Sequence, residues 1–281
     1  MPRIVLPDGY GLNYITAGDV HQPALLFVHG YLSHHGVWKR TIAALKDHFF
    51  CVAPDLLGFG DSEKPKAPVY GIAQQAQRLV QLADALGLEH FGLVGHSMGG
   101  QVALCAAAML VPERVTQVVS VAGVVSGRLQ PKTARTGTQM RLAASLPFVY
   151  AWTRRFCHVP ALAYAQFGSW FYDVRSLPFY AWGEDRWRAM QPGCAYPNWA
   201  AWQAIAQLNL TPYLGDLTMP VLAMFGQQDA VVPLSDGEML ARRARRGQLV
   251  TFERCGHFPM YEAWEMYWAA LCAFLTPKGC S

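Results

Sequence analysis

A chain of 281 residues, 52% hydrophobic and 15% charged, can bury one large core, or a core plus a modest insertion. That composition excludes a disordered polymer, and a net charge of +4 is too small for a nucleic-acid surface. The longest uncharged apolar run of the first half, Val102 to Val111, is too short to span a bilayer and fits a buried helix.

The first residues, Met1 to Asp8, hold no apolar signal-peptide core. Seven cysteines lack C-x-x-C spacing, and Cys51, Cys105 and Cys272 sit in apolar surroundings. They read as buried reduced thiols, which points to the cytoplasm and to no metal site. Arg3 to Leu6 and Leu12 to Ala17 form an expected antiparallel hairpin around Asp8-Gly9-Tyr10-Gly11. Then short apolar runs alternate with helical patterns. Ala24 to Val28, Phe49 to Ala53, Phe91 to Val94 and Val115 to Ala122 read as strands. Val37 to Leu45, Ala73 to Leu86 and Met98 to Leu110 carry helical spacing. Such alternation indicates a parallel α/β sheet covered on both faces.

The alternation stops after Gly123. Residues 124–212 show no clear strand, are dense in aromatics from Phe148 to Trp202, and are broken by prolines, so a helical insertion is expected. Most of the aromatics should pack it against the sheet, and a few should line an apolar site. The sheet resumes at Pro220 to Phe225 and Leu249 to Phe252, and a helix, Tyr261 to Leu275, ends the chain. The core is thus 1–123 with 213–281.

Gly95-His96-Ser97-Met98-Gly99 carries the chemistry. An apolar strand enters this G-x-S-x-G segment and a helical stretch leaves it, the context of a nucleophile elbow. The sharp turn pushes Ser97 into strained backbone geometry, and the helix behind it aims free N–H groups at developing negative charge. A serine hydroxyl needs a base, and the base needs an orienting group. Among nine histidines, His257 lies after the last strand and before the final helix, where a hydrolase of this topology keeps its base. His29, His34, His35 and His96 lie near the same end of the sheet and should shape loops or line the pocket. Asp229, in Phe225-Gly226-Gln227-Gln228-Asp229, follows a strand and is the candidate orienting acid. Asp55 and Asp61 read as loop-fixing residues. Oxyanion donors are expected from the backbone N–H of Met98 and of Tyr31, in His29-Gly30-Tyr31-Leu32. Tyr31, His96 and Phe258 are the candidate substrate contacts.

These motifs, in the order Ser, Asp, His, resemble the α/β-hydrolase superfamily, of the cap-bearing serine esterase type. The resemblance runs nearly end to end. It implies an eight-stranded, mostly parallel sheet with helices on both faces and a helical cap inserted after strand 6. It also implies hydrolysis of an ester or thioester with an apolar acyl or alcohol part, through an acyl-enzyme and without a cofactor. A serine at position 97 disfavours the epoxide hydrolases and haloalkane dehalogenases of this fold, which use a carboxylate nucleophile. Two alternatives stay open: a carbon–carbon bond hydrolase or acyl-carrier thioesterase on the same triad, and a small-molecule receptor that keeps a hydrolase pocket.

Between Ser126 and Ala165 stand Arg128, Lys132, Arg135, Arg141, Arg154 and Arg155, with no acid. This span is more positive than the whole chain. It reads either as a solvated helix face or as a docking patch for an acidic carrier protein or an anionic membrane surface.

Overall fold

The computed structural model describes residues 2–131, 167–176 and 193–275, with residues 133, 134, 148, 151, 152, 155, 156, 159, 161, 164, 187, 188 and 191 between them. Lys132, Arg135, Arg141 and Arg154 of the basic span lie outside the described residues.

Eight strands form one sheet in the order β1-β2-β4-β3-β5-β6-β7-β8. They are β1 (Arg3–Val5), β2 (Gly11–Ala17), β3 (Ala24–Val28), β4 (Phe50–Pro54), β5 (Phe91–His96), β6 (Val115–Val121), β7 (Pro220–Gly226) and β8 (Arg246–Phe252). The β1–β2 hairpin is antiparallel, and β2 pairs antiparallel with β4. All other neighbours are parallel. Every residue of β3, β4 and β5 is buried, as expected for strands covered on both faces.

The chain order places the site. From β3 the chain crosses to β4 on one side, then returns to β5 on the other. Connections that leave in opposite directions open a crevice at the carboxyl ends of the two strands. Val28 pairs with Gly95, so the segments His29 to Leu32 and Ser97 to Gly99 emerge side by side.

The described helices are α1 (Lys39–Leu45), α2 (Ile72–Ala85), α3 (Met98–Cys105), α4 (Ala195–Gln207), α5 (Leu234–Arg243), α6 (Pro259–Glu262) and α7 (Trp264–Leu275). The expected helix from Met98 to Leu110 is α-helical to Cys105 and then widens into a π turn, Ala106–Leu110. Its end is not buried, because Met109 and Leu110 are exposed. The expected final helix is broken at Ala263 (φ −131°), between α6 and α7. Pro259 opens α6, so a short turn can form directly after the His257 loop.

Helix α4 belongs to the stretch between β6 and β7 and is tied to the core by its carboxyl end. Gln101 Nε2 donates to the carbonyls of Ile205 (3.0 Å) and Leu208 (2.8 Å). At the other end of this stretch, Asp236 Oδ2 accepts the N–H of Val125 (2.7 Å) and Ser126 (2.9 Å). The aromatics here do not behave as one group. Phe167, Phe171 and Trp202 are buried, whereas Phe148, Trp152, Phe156, Tyr164, Tyr172 and Trp187 are exposed. Trp170 and Tyr196 are half-buried against the core, so among the described residues the rings divide between packed and exposed. Phe148 and Trp152 are helical, and Phe148, Trp152 and Phe156, spaced four apart, are all exposed. No described helix is long and apolar enough to cross a membrane.

Candidate active site

Ser97 sits between β5 and α3 with φ 55° and ψ −119°. A non-glycine residue there carries strain of about 1–3 kcal/mol, which the surrounding packing must hold. The turn closes because its neighbours lack side chains. A Cβ on Gly95 would run into the Gly99 carbonyl, and one on Gly99 into the carbonyls of Val28 and His29. Ser97 N–H donates to the Val121 carbonyl (2.9 Å), and the Ser97 carbonyl accepts from Gln101 and Val124 (both 3.2 Å). The serine backbone is thus fixed from β6 and from its own helix.

His257 and Asp229 lie in contact. His257 Nδ1 lies 2.8 Å from Asp229 Oδ2, and both residues are buried. The other carboxylate oxygen, Oδ1, accepts the N–H of Val231 (2.7 Å) and Val232 (3.0 Å). These bonds fix the carboxylate plane and leave Oδ2 for the imidazole, whose Nε2 then faces away from the acid.

Ser97 and His257 line one cavity, together with Tyr31, His96, Leu129, Trp170, Trp202, Ile205, Val231 and Phe258. All three candidate substrate contacts therefore line it. Gly30 packs on the serine: a Cβ at Gly30 would stand 3.1 Å from Ser97 Cβ, which brings the Gly30–Tyr31 backbone against the nucleophile. Met98 opens α3, where first-turn N–H groups have no carbonyl four residues back within the helix. Tyr31 is held from the insertion, its hydroxyl donating to the Asn198 carbonyl at 3.0 Å.

The other histidines hold loops. His29 Nδ1 is 2.7 Å from the Gly30 carbonyl, and its Nε2 accepts the Leu56 N–H at 2.9 Å. Those bonds require a neutral ring, and complete burial pushes its pKa down to about 4. His96 Nε2 donates to the His257 carbonyl at 2.9 Å. Burial, then the nearby His257, hold His96 well below the ordinary histidine range. Asp55 Oδ1 takes both the N–H and Nδ1 of His35 (2.8 Å each), and Oδ2 takes the Asp61 N–H (2.9 Å). Burial opposes the Asp55 charge, but the His35 hydrogen bond and the His29 and His35 rings prevail, so its carboxyl lies far below the usual range. His34, His35 and Asp55 are the one trio among the described residues with potential metal-ligating atoms within 4.8 Å of one another. Both Asp55 oxygens are already occupied, which fits loop fixing.

Three features of the site had no sequence signal. Glu262, at the end of α6, accepts the N–H of Tyr172 (2.7 Å), Gly256 (3.0 Å) and Phe258 (3.4 Å). His257 N–H donates to the Trp170 carbonyl at 2.7 Å. The Phe171 and Phe258 rings stack, 4.7 Å apart and 7° from parallel. The base-bearing loop is thus bound to residues 170–172 of the insertion. These contacts use backbone groups and a generic glutamate, which no motif encodes.

Comparison with known proteins agrees with this architecture. The chain is 30% identical over 267 residues to an uncharacterised protein of Mycobacterium tuberculosis, covering 90% of this chain and 75% of that one. It is 29% identical over 265 residues to a 2-hydroxymuconate semialdehyde hydrolase of Pseudomonas putida, covering 94% and 90%. The crystal structure of a bacterial membrane phospholipase A superposes with a TM-score of 0.80 at 26% identity, covering 98% of this chain and 85% of that one. The profile of the alpha/beta hydrolase fold family matches residues 23–263, and the chain belongs to that family.

Proposed function

We propose that this hydrolase cleaves a carboxylic ester or thioester with an apolar acyl or alcohol group, through Ser97, His257 and Asp229. The observation that carries the proposal is one cavity lined by both a strained, elbow-borne serine and a histidine whose far nitrogen is bonded to a buried carboxylate. Ser97 Oγ attacks the substrate carbonyl carbon as His257 Nε2 takes the hydroxyl proton. Asp229 keeps the other ring proton on Nδ1 and stabilises the imidazolium. The N–H groups of Met98 and Tyr31 bind the oxyanion of the tetrahedral intermediate, each such donor worth about 3–4 kcal/mol in the transition state. Collapse expels the alkoxide or thiolate, which takes the proton from His257. Water, deprotonated by the same histidine, then releases the acid from Ser97. The polar lining groups are Ser97, His96, His257 and the tethered Tyr31 hydroxyl, and the remaining lining is apolar or aromatic. Such a wall suits an uncharged chain.

A second reading, carbon–carbon bond hydrolysis on the same residues, is favoured by the likeness to the P. putida hydrolase, whose named substrate is a muconate semialdehyde. One experiment separates the two. Chromogenic short-chain esters and a ring-cleavage dienoate are offered to the unmodified protein and to Ser97→Ala. Ester turnover that vanishes in Ser97→Ala is expected. Turnover of the dienoate alone would replace the ester reading, and ester turnover that survives in Ser97→Ala would end the mechanism.

A further inference from the structure

Among the described residues, every exposed Phe and Trp lies between positions 148 and 187. Three of these rings form a stripe. Phe148, Trp152 and Phe156 are 69%, 59% and 36% exposed. Phe148, Ala151, Trp152 and Arg155 are helical, and the Phe156 N–H donates to the Trp152 carbonyl at 3.3 Å. The Trp152 and Phe156 ring centroids are 5.0 Å apart, and the Arg155 guanidinium lies 5.9 Å from the Phe156 ring centre. Trp38, Phe27 and Phe225, aromatics of the sheet core, are by contrast completely buried. The exposure is a local property of the insertion.

Charge accompanies the stripe. The sequence from 114 to 172 contains no Asp or Glu, and residues 126–165 hold six Lys and Arg. Arg128 and Arg155 are exposed; the other four count here as charge only. We propose that this face docks on an anionic lipid surface, with the aromatic stripe at the headgroup–acyl boundary and Arg155 against lipid phosphates. Exposed aromatic rings in a basic, acid-free stretch of sequence have the composition of an interfacial segment, and Trp favours the headgroup level. A second copy of the chain would bring two positive faces together and be repelled. An acidic protein partner would satisfy the arginines but leave the Trp–Phe stripe facing polar side chains.

Vesicle flotation tests this. The probes are phosphatidylcholine vesicles with and without phosphatidylglycerol, over a salt series, and near-UV circular dichroism checks each variant's fold. The unmodified protein should float with the anionic vesicles, stay behind with the neutral ones, and detach as salt rises. Trp152→Ala/Phe156→Ala should lose flotation. Arg155→Gln should weaken partitioning about fivefold, the effect of one basic residue near such a surface. Absence of flotation on anionic vesicles overturns the proposal, as does flotation undiminished in the double variant. A double variant that instead turns a dimer into a monomer in sedimentation, with no vesicle binding by the parent, assigns the stripe to self-association and also overturns it. If the double variant misfolds, Arg155→Glu decides, and undiminished flotation there overturns the proposal.

Discussion

Asp229→Asn replaces one oxygen by an amide at a place where the fold dictates which way the amide points. Oδ1 holds two buried backbone donors, Val231 and Val232 N–H, at 2.7 and 3.0 Å. Turning the NH2 toward them would set donor against donor and cost about 1–3 kcal/mol for each group left unpaired. The asparagine therefore keeps its oxygen on that loop and presents NH2 to His257 Nδ1, now 2.8 Å from Oδ2. Nδ1 must accept, so the ring proton moves to Nε2, the nitrogen that has to receive the serine proton. In serine hydrolases that tautomer error costs about 10⁴ in kcat, or ~5 kcal/mol of transition-state stabilisation. Stability should hardly change, because the loop keeps both of its hydrogen bonds. Asp229→Ala should instead lose both activity and stability, the latter by about 1–3 kcal/mol per unpaired N–H. The assay is kcat/KM on a chromogenic short-chain ester, with denaturant unfolding of each variant. An Asp229→Asn protein that unfolds normally and turns over within about tenfold of the parent would refute the assignment of Asp229.

Ser97→Gly should abolish turnover and stabilise the fold by about 1 kcal/mol, because glycine adopts a φ of 55° without strain; denaturant unfolding reads this directly, and a destabilised variant would contradict it. Acid should weaken the fold through His96, which is held low by burial, and through His29, whose folded pKa of about 4 lies below its ordinary 6.5. The unfolded chain binds that proton first, so stability is full above about pH 6.5 and falls by about 3 kcal/mol as pH drops to about 4. Unfolding measured across that window should show a shallower slope in His29→Gln. Glu262→Ala should lower kcat more than it raises KM, because it removes the acceptor for Tyr172, Gly256 and Phe258 N–H and loosens the base, while Glu262 itself does not line the cavity. Steady-state kinetics check the split, and a pure KM effect would place Glu262 outside base positioning.

The sequence was most informative where local physics decides the outcome. Strands β3 and β5 are buried along their whole length, so each is marked by an apolar run, and their observed limits lie close to the expected ones. Strand β8 begins at Arg246, three residues before the apolar run at Leu249, because pairing with β7 rather than burial defines its start. Helix α5 gave no apolar signal. Beside the buried Gly237 and Leu240, it is anchored by Asp236, a polar residue whose partners, Val125 and Ser126, are more than a hundred positions away. The same divide runs through the site. Ser97 was legible because an elbow needs glycines beside it in sequence, and His257 and Asp229 because each follows a strand end. Glu262 and Trp170 were not, since they act on backbone groups that only tertiary packing brings together.

That packing has a consequence for how the site is built. In this chain the base is not held by the sheet alone. Its own N–H is bonded to Trp170, its carbonyl to His96, and its two neighbours to Glu262, which also grips Tyr172. Trp170, Phe258 and His96 are at once walls of the cavity and parts of this clamp. A substitution that reshapes the acyl pocket at these three positions therefore also moves the imidazole, and an error of even 1 Å there can cost about 10²-fold in rate. Trp202 and Leu129 line the same cavity, and none of the bonds that hold His257 involves them. Selectivity can change at Trp202 and Leu129 while the base stays in register, so variants there should alter the ranking of acyl chains with kcat on the best substrate retained. At Trp170, Phe258 and His96, every substrate should lose rate together.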